Sequence, residues 1–313
     1  MLPPVISGFQ RRLISLPDIT LSIQECGEGP ALFLLHGFPQ NGMCWSLVAP
    51  IFARSHRVII PDLRGYGWSD APSDDLAHRA YSKRQMALDI VALMDELSVP
   101  VAMILGHDRG ARVAYRLALD HPHRVSHLGI VEIAPTADYW ANWGADLAMA
   151  AYHWTFLSQP HPLPERMINA DPVAYVDWTL KSWTQSKSLD AFPPENLASY
   201  RLQAQDPARI HAMCADYRAG ATTDREDDEA DLRSGRTIRA PMRFLYAHHG
   251  FPARTGDPAG IWKKWADQVT ASPCDSGHFV MEENPQAVID AFAAFFGQAA
   301  RKSIAEGDKP TPP

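Results

Sequence analysis

The chain has 313 residues, of which 46% are hydrophobic, and a formal net charge of −7. This amount of apolar material can form a sizeable core, whereas an acidic chain without a basic stripe argues against a nucleic-acid partner. The four cysteines are scattered, so we expect free thiols. Neither a signal-peptide pattern nor an apolar stretch of membrane-spanning length is visible, and we expect a cytoplasmic protein without a membrane partner.

The predicted elements alternate between apolar strands and amphipathic helices along most of the chain. In chain order, strands are predicted over 20–26, 31–35, 57–60, 101–105, 125–133, 242–247 and 269–272, the first at the edge of the sheet. Helices are predicted over 45–53, 82–97, 109–120 and 284–296. This alternation indicates an α/β fold with a mostly parallel sheet and helices on both faces.

The segment 137–238 interrupts the alternation, because it is rich in Trp, Tyr, Met and Pro and contains helical fragments without a good strand. We predict that it forms a helical cap inserted in a core domain made of 1–136 and 239–300. Its acidic run, 224–231, is expected to be solvated. Residues 301–313 are polar and proline-bearing, and we expect a flexible tail.

Asp108 lies between Gly106 and Gly110, after an apolar strand and before a helix. This is the nucleophile-elbow pattern, in which small neighbours allow a tight turn that projects one side chain above the sheet. The alternative is an ordinary helix N-cap. An ionised carboxylate that attacks a saturated carbon forms a stable ester, so the pattern favours halide displacement or epoxide opening. The earlier segment 36–39, His-Gly-Phe-Pro, is placed to supply an oxyanion-hole amide, with Phe38 and Arg109 as the donors.

An ester intermediate needs a base to activate water, and His278 follows the last predicted strand. His248 and His249 are weaker candidates, because no acid partner is evident for them. The acid that orients His278 is predicted to be Glu132, at the end of an apolar strand, with Asp257 as the alternative.

Arg109 and Arg112 are neighbours on the first turn of the helix after Asp108. Cations at a helix N-terminus oppose the macrodipole, which suggests a compensating anion. Two guanidinium groups could bind a substrate carboxylate bidentately.

Together these motifs make the chain resemble the fluoroacetate and haloacetate dehalogenases of the α/β-hydrolase superfamily. The resemblance extends from about residue 36 to 278 and includes His-Gly-Phe-Pro-Gln-Asn at 36–41, Asp-Leu-Arg-Gly-Tyr-Gly at 62–67, Gly-His-Asp-Arg-Gly at 106–110 and Leu-Asp-His-Pro at 119–122. In the predicted cap it includes Tyr-His-Trp at 152–154, Ala-Asp-Pro at 170–172 and Asp-Tyr-Arg-Ala-Gly at 216–220.

The resemblance implies an α/β-hydrolase fold, substrate-carboxylate binding by Arg109 and Arg112, and halide binding by His153, Trp154 and Tyr217. It also implies a homodimer and a small anionic substrate. The chain departs from the family in carrying Glu132 where the acid is usually aspartate, and in continuing the elbow with an alanine instead of a second glycine.

The predicted reaction is a two-step hydrolysis of a short 2-haloacid that needs no metal and no organic cofactor. The main alternative is an epoxide hydrolase, which uses the same Asp, His and acid but needs two cap tyrosines. Tyr217 could be one of them, with Tyr152 or Tyr175 as the other. A non-catalytic receptor for small ligands on the same fold is the third possibility.

Overall fold

The computed structural model describes residues 4–248 and 250–307, the last ten of these by their backbone alone. Eight strands form a single sheet in the order β1-β2-β4-β3-β5-β6-β7-β8. Their bounds are Gln10–Ser15, Thr20–Cys26, Ala31–Leu35, Arg57–Pro61, Ala102–His107, Val125–Val131, Met242–Ala247 and Val269–Cys274, for β1 to β8. Within the described ranges, no helix is both long and apolar enough to cross a membrane.

The pairing of β1 with β2 and of β2 with β4 is antiparallel, and every other pairing in the sheet is parallel. The prediction of a mostly parallel α/β sheet is therefore confirmed. The prediction that 20–26 forms an edge strand is wrong, because β1 pairs with it on the outside. The side chains of β1 are largely exposed, so its sequence lacks the apolar run that revealed the other strands.

The α-helices, α1 to α14 in chain order, span Ala49–Phe52, Lys83–Glu96, Asp108–Asp120, Thr136–Ala141, Ala145–Ala150, His153–Leu157, Leu163–Ile168, Pro172–Trp183, Pro194–Ala204, Pro207–Ala221, Thr223–Ser234, Pro258–Trp262, Val280–Glu283 and Pro285–Gly307. Short 3-10 helices cover Gly42–Trp45, Arg79–Tyr81, Pro122–Arg124 and Pro252–Thr255. Helix α14 continues through 301–307, which we expected in the flexible tail. Residues 308–313 of that predicted tail lie outside the described residues.

Helices cover both faces of the sheet, and glycines set the closest approaches. A Cβ on Gly106 of β5 would lie 2.6 Å from the Cα of Ala111 in α3, whereas one on Gly129 of β6 would lie 2.8 Å from the Phe292 ring of α14. Leu105 pairs with Gly129 in register, so it points to the α14 side, and its neighbour Gly106 points to the other. The two helices therefore lie on opposite faces.

Helices α4 to α11, referred to below as the cap helices, lie between β6 and β7 in the chain. The expectation of a fully solvated acidic run is wrong for its inward face. Asp228 and Asp231 of α11 are buried and form ion pairs with the buried Arg116 of α3. Asp224, also buried, accepts a hydrogen bond from the backbone N–H of Lys83. Charge density alone could not reveal these long-range partners.

Candidate active site

The turn between β5 and α3 places Asp108 at the carboxyl edge of the sheet. Asp108 has a φ of +45°, in the left-handed region that few non-glycine residues adopt and that is concentrated at functional turns. A Cβ on Gly106 would lie 2.6 Å from the Cα of Ala111, and one on Gly110 would lie 2.3 Å from the carbonyl oxygen of His36. Both glycines of the predicted elbow are therefore sterically required.

The carboxylate of Asp108 is buried and faces two of the groups predicted to act with it. Its Oδ2 accepts a hydrogen bond of 2.9 Å from the backbone N–H of Phe38, and its Oδ1 lies 3.9 Å from Nε2 of His278. Burial opposes ionisation, but electrostatic interactions, first with His278 and His107 and then with the two arginines, outweigh it and hold the pKa of Asp108 below its ordinary value. The carboxylate is thus ionised at neutral pH and suited to nucleophilic attack.

His278 lies between Asp108 and Glu132, with its Nδ1 3.8 Å from Oε1 of Glu132. Both separations exceed a hydrogen bond, as is common for catalytic groups before a substrate is bound. Burial, and next the neighbouring His107, lower the pKa of His278 to about 3. The imidazole is therefore neutral at physiological pH and able to accept a proton from water.

Glu132 directly follows β6 and has a φ of +61°. Its carboxylate accepts hydrogen bonds from the backbone N–H groups of Ala247, at 2.7 Å, and Phe251, at 2.9 Å. Burial raises the pKa of Glu132 well above its ordinary value, and these two donors partly offset the effect. The side chain is held rigidly beside the imidazole, which fits an orienting role.

The alternative candidates for the acid and the base of the site are exposed or lie outside the described residues. Asp257 caps helix α12, where its carboxylate accepts a hydrogen bond of 2.8 Å from the backbone N–H of Gly260, and it is exposed. His248 is exposed and follows the end of β7. His249 falls outside the described residues. Of the two carboxylates considered, Glu132 is the one that the structure brings to His278.

Arg109 is fully buried and already has an anionic partner within the cap. Its Nε and Nη2 donate to the carboxylate of Asp216, and Nη2 also donates to the backbone oxygen of that residue. Lys83 forms an ion pair with the same carboxylate. Nη1 of Arg109 has no hydrogen-bond partner among the described residues, so one edge of the guanidinium remains available to a ligand.

Arg112 is buried too, but its environment differs. Its Nη1 donates to the carbonyl oxygen of Ala134, at 3.0 Å, and to the hydroxyl of Thr136, at 2.9 Å. Its Nε has no partner, and no carboxylate of the described residues lies within ion-pair distance. A buried cation without an anion is costly unless a ligand supplies the charge.

The three predicted halide-binding residues meet above Asp108. The rings of His153 and Trp154, from α6, lie 5.4 Å and 5.7 Å from the ring of Tyr217, from α10. The guanidinium of Arg112 lies 4.5 Å from the Trp154 ring. The Tyr217 hydroxyl and Nδ1 of His153 are buried without a hydrogen-bond partner among the described residues. Such orphaned groups cost about 1–3 kcal/mol each unless a ligand or water satisfies them.

Sequence reasoning missed three aromatic residues of the site. Tyr139 packs 4.6 Å from the Trp154 ring, with its hydroxyl unpartnered among the described residues. Trp183 lies 4.2 Å from the His153 ring, and Phe251 lies 5.0 Å from the His278 ring. No motif marks these positions; the abundance of aromatic residues in the inserted segment was the only available signal for Tyr139 and Trp183, and Phe251 had none.

A cavity of about 320 Å³ leads from the surface to His278. Its walls combine aromatic and basic side chains from the segment between β6 and β7 and from the segment after β7, including Tyr152, Trp178, Trp183, Lys187, Phe251 and Arg254. Its size fits a small molecule, and its inner end lies at the predicted base.

Comparison with known proteins agrees with this geometry. The sequence model of the alpha/beta hydrolase fold matches residues 30–285. The chain belongs to the alpha/beta hydrolase family. A fluoroacetate dehalogenase of Burkholderia sp is 39% identical over 94% of this chain and 96% of its own length. The soluble epoxide hydrolase of Corynebacterium sp. (strain C12) is 30% identical over 86% of this chain and 91% of its own.

Among solved structures, a candidate acyltransferase from Salmonella enterica has a TM-score of 0.91 and 42% identity, and covers 95% of this chain and 98% of its own. The predicted fold and the assignment as a hydrolase are thereby confirmed. For this alpha/beta hydrolase, the nature of the substrate rests on the side chains around Asp108.

Proposed function

We propose that this hydrolase removes halide from short 2-haloacids, such as haloacetates, through an ester on Asp108. The observation that carries the proposal is Arg112, a buried cation next to the nucleophile with no carboxylate partner among the described residues. A substrate carboxylate would supply the missing charge and bring the adjacent carbon towards Asp108. The similarity to a fluoroacetate dehalogenase supports the same substrate class.

In the first step, a carboxylate oxygen of Asp108 forms a bond to the α carbon of the substrate as the carbon–halogen bond breaks. The halide leaves with the bonding electron pair towards His153, Trp154 and Tyr217. The unpartnered hydroxyl of Tyr217, and Nδ1 of His153 in the tautomer that carries its proton there, stabilise the growing negative charge. Holding both reactants at attack geometry contributes much of the rate.

In the second step, His278 takes a proton from a water molecule, and the resulting hydroxide attacks the ester carbonyl carbon of Asp108. Glu132 orients the imidazole and stabilises its protonated form. The oxyanion is stabilised by the backbone N–H of Phe38, which already donates to Asp108, and by that of Arg109 at the free N-terminus of α3. Collapse breaks the bond between the carbonyl carbon and the ester oxygen, releases a 2-hydroxyacid and restores the carboxylate. The proton on His278 then passes to solvent, which returns the imidazole to its neutral form.

An epoxide hydrolase remains the second candidate, because a soluble epoxide hydrolase is 30% identical to this chain. Of its required tyrosines, Tyr217 lies in the site, and Tyr139 offers a second unpartnered hydroxyl near it. Tyr152 lines the cavity that leads to His278, referred to below as the entrance cavity, and Tyr175 is its neighbour. A neutral epoxide, however, would leave Arg112 uncompensated, which favours the haloacid.

The test is to trap the ester. His278→Asn should still perform the first step but not the second, so incubation with chloroacetate should add one carboxymethyl group to Asp108, detected by intact mass and peptide mapping. Asp108→Asn in the same background is the matched control and should gain no mass. Absence of an adduct with chloro-, bromo- and fluoroacetate, together with turnover of styrene oxide by the unmodified enzyme, would contradict the proposal.

A further inference from the structure

A second cluster of potential ligands lies on the cap helices, outside the site around Asp108. His161 precedes α7, Glu165 lies in α7, and His211 lies in α10. One nitrogen from each histidine and a carboxylate oxygen of the glutamate all lie within 4.8 Å of one another. It is the one such group of His, Cys, Asp and Glu side chains in the part of the chain that the structure describes.

The distances within the cluster match the edges of a tetrahedral metal site. Nδ1 of His161 lies 3.3 Å from Oε1 of Glu165, and Nδ1 of His211 lies 3.1 Å from the same oxygen. With zinc–ligand bonds of about 2.0–2.1 Å and tetrahedral angles, neighbouring ligand atoms are about 3.3 Å apart. The two imidazole rings are perpendicular, with centroids 5.4 Å apart, so each can direct a nitrogen to a common point.

The two carboxylate oxygens of Glu165 differ in their hydrogen bonding, because all the neighbouring donors approach one of them. His161, His211 and Arg218 all approach Oε1, the last at 2.7 Å. Oε2 is buried and has no partner among the described residues. Because the whole residue is only 4% exposed, solvent does not readily supply one. A metal ion bound to the two histidines and to Oε1 would lie beside the unpartnered Oε2, which could become a second contact of the same carboxylate, while Arg218 is held by the carbonyl oxygen of Gln159.

We propose that His161, Glu165 and His211 bind a transition-metal cation of the Zn²⁺ type. Two imidazoles and a carboxylate are a donor set that suits this ion, and the exposed side of His161 leaves room for water to complete the coordination. The ion would join α7 to α10, the helix that carries Tyr217. It takes no part in the reaction at Asp108, so the proposal is independent of the proposed function.

The test uses the full chain, freed of metal with a chelator and dialysed, and titrated with ZnCl₂ by calorimetry. One ion should bind, and His161→Ala and His211→Ala should each weaken binding at least tenfold. Zn²⁺ should also raise the melting temperature of the unmodified protein and not that of either variant. Because His161 is largely exposed and His211 partly so, both variants should fold, which melting curves without metal will verify.

The matched control is His121→Ala/His123→Ala, which removes another pair of adjacent imidazoles, with ring centroids 6.5 Å apart, on the core domain. This variant should bind Zn²⁺ as tightly as the unmodified chain. The proposal is overturned if the unmodified chain binds Zn²⁺ no more tightly than the His161→Ala/His211→Ala double variant, or if only the control variant loses binding.

Discussion

Arg109 and Arg112 lie three residues apart on α3, yet their charges are balanced in different ways. Asp216 and Lys83 form a buried ionic group with Arg109, whereas Arg112 contacts a carbonyl and a hydroxyl oxygen. Arg109 is thus part of the fixed structure and offers one free N–H edge. Arg112 is the cation whose partner is best supplied by a substrate.

The same substitution at the two positions should separate these roles. Arg112→Met should lower the free energy of unfolding less than Arg109→Met does, because Arg112 forms no buried ion pair and loses only two hydrogen bonds and its electrostatic interaction with Asp108. It should lower kcat/KM for chloroacetate roughly a hundredfold or more, as expected for loss of a buried charge pair with substrate.

Arg109→Met should instead lower the free energy of unfolding by roughly 3–5 kcal/mol, because Asp216 loses its main partner in the interior. Urea unfolding and steady-state halide release measure both quantities. The interpretation fails if Arg112→Met is the less stable variant or if it retains full kcat/KM.

At the scale of elements, a single carboxyl group connects the segment after β3, the cap and the helix that follows His278. Glu282 of α13 accepts hydrogen bonds from Gln40, from Asn196 of α9, at 2.7 Å, and from the Tyr200 hydroxyl, at 3.0 Å. Burial raises the pKa of Glu282 to about 8, although the three donors favour the ionised form. The carboxyl group therefore holds a proton in the folded protein that it loses on unfolding near neutral pH.

Glu282→Gln should change the pH dependence of stability. In the unmodified protein, Glu282 binds more protons in the folded state than in the unfolded state at pH values between its ordinary pKa of 4.5 and about 8. The stabilisation from this group is fully present below the lower value and is lost as the pH rises through the upper one.

Chemical unfolding should therefore show that, between pH 5 and pH 8.5, the free energy of unfolding of the unmodified protein falls relative to that of the variant. The relative change should be on the order of a few kcal/mol. Glu28→Gln, which alters an exposed carboxylate, should give a curve parallel to that of the unmodified chain. A parallel curve for Glu282→Gln as well would show that its carboxyl group is ionised in the fold.

For the whole molecule, a net charge of −7 would oppose the approach of the anionic substrate that we propose. The entrance cavity carries two exposed cations, Lys187 and Arg254, between aromatic walls. A local positive potential at the entrance would raise the concentration of haloacid there despite the overall charge.

The variant Lys187→Gln/Arg254→Gln should lower kcat/KM for chloroacetate roughly two- to tenfold at low ionic strength, with little change in kcat. The difference should vanish in about 1 M salt, where the Debye length is about 3 Å. Arg225→Gln/Arg233→Gln, which removes two cations from exposed positions on α11, is the control for the same change in total charge. An equal loss in the control, or a loss that persists at high salt, would exclude local attraction at the entrance.

Most of the sheet and the elbow could be predicted from the sequence, because buried strands and a glycine-flanked turn have local patterns. β1 was missed, since its exposed side chains give no apolar run. The predicted helix at 45–53 is a 3-10 turn followed by the short α1. In the site, the residue types carrying chemistry were recognisable by motif, whereas Tyr139, Trp183 and Phe251 belong to none.

The sequence by itself determined the presence of a carboxylate on a tight turn, because the steric demand for Gly106 and Gly110 is met within a few residues of Asp108. Only the tertiary structure decided which carboxylate faces His278 and which arginine is already neutralised. Arg109 and Asp216 are 107 positions apart in the chain and meet because the cap helices close over the sheet. Burial, which lowers the pKa of His278 and so keeps its imidazole neutral, likewise exists only once the chain has folded.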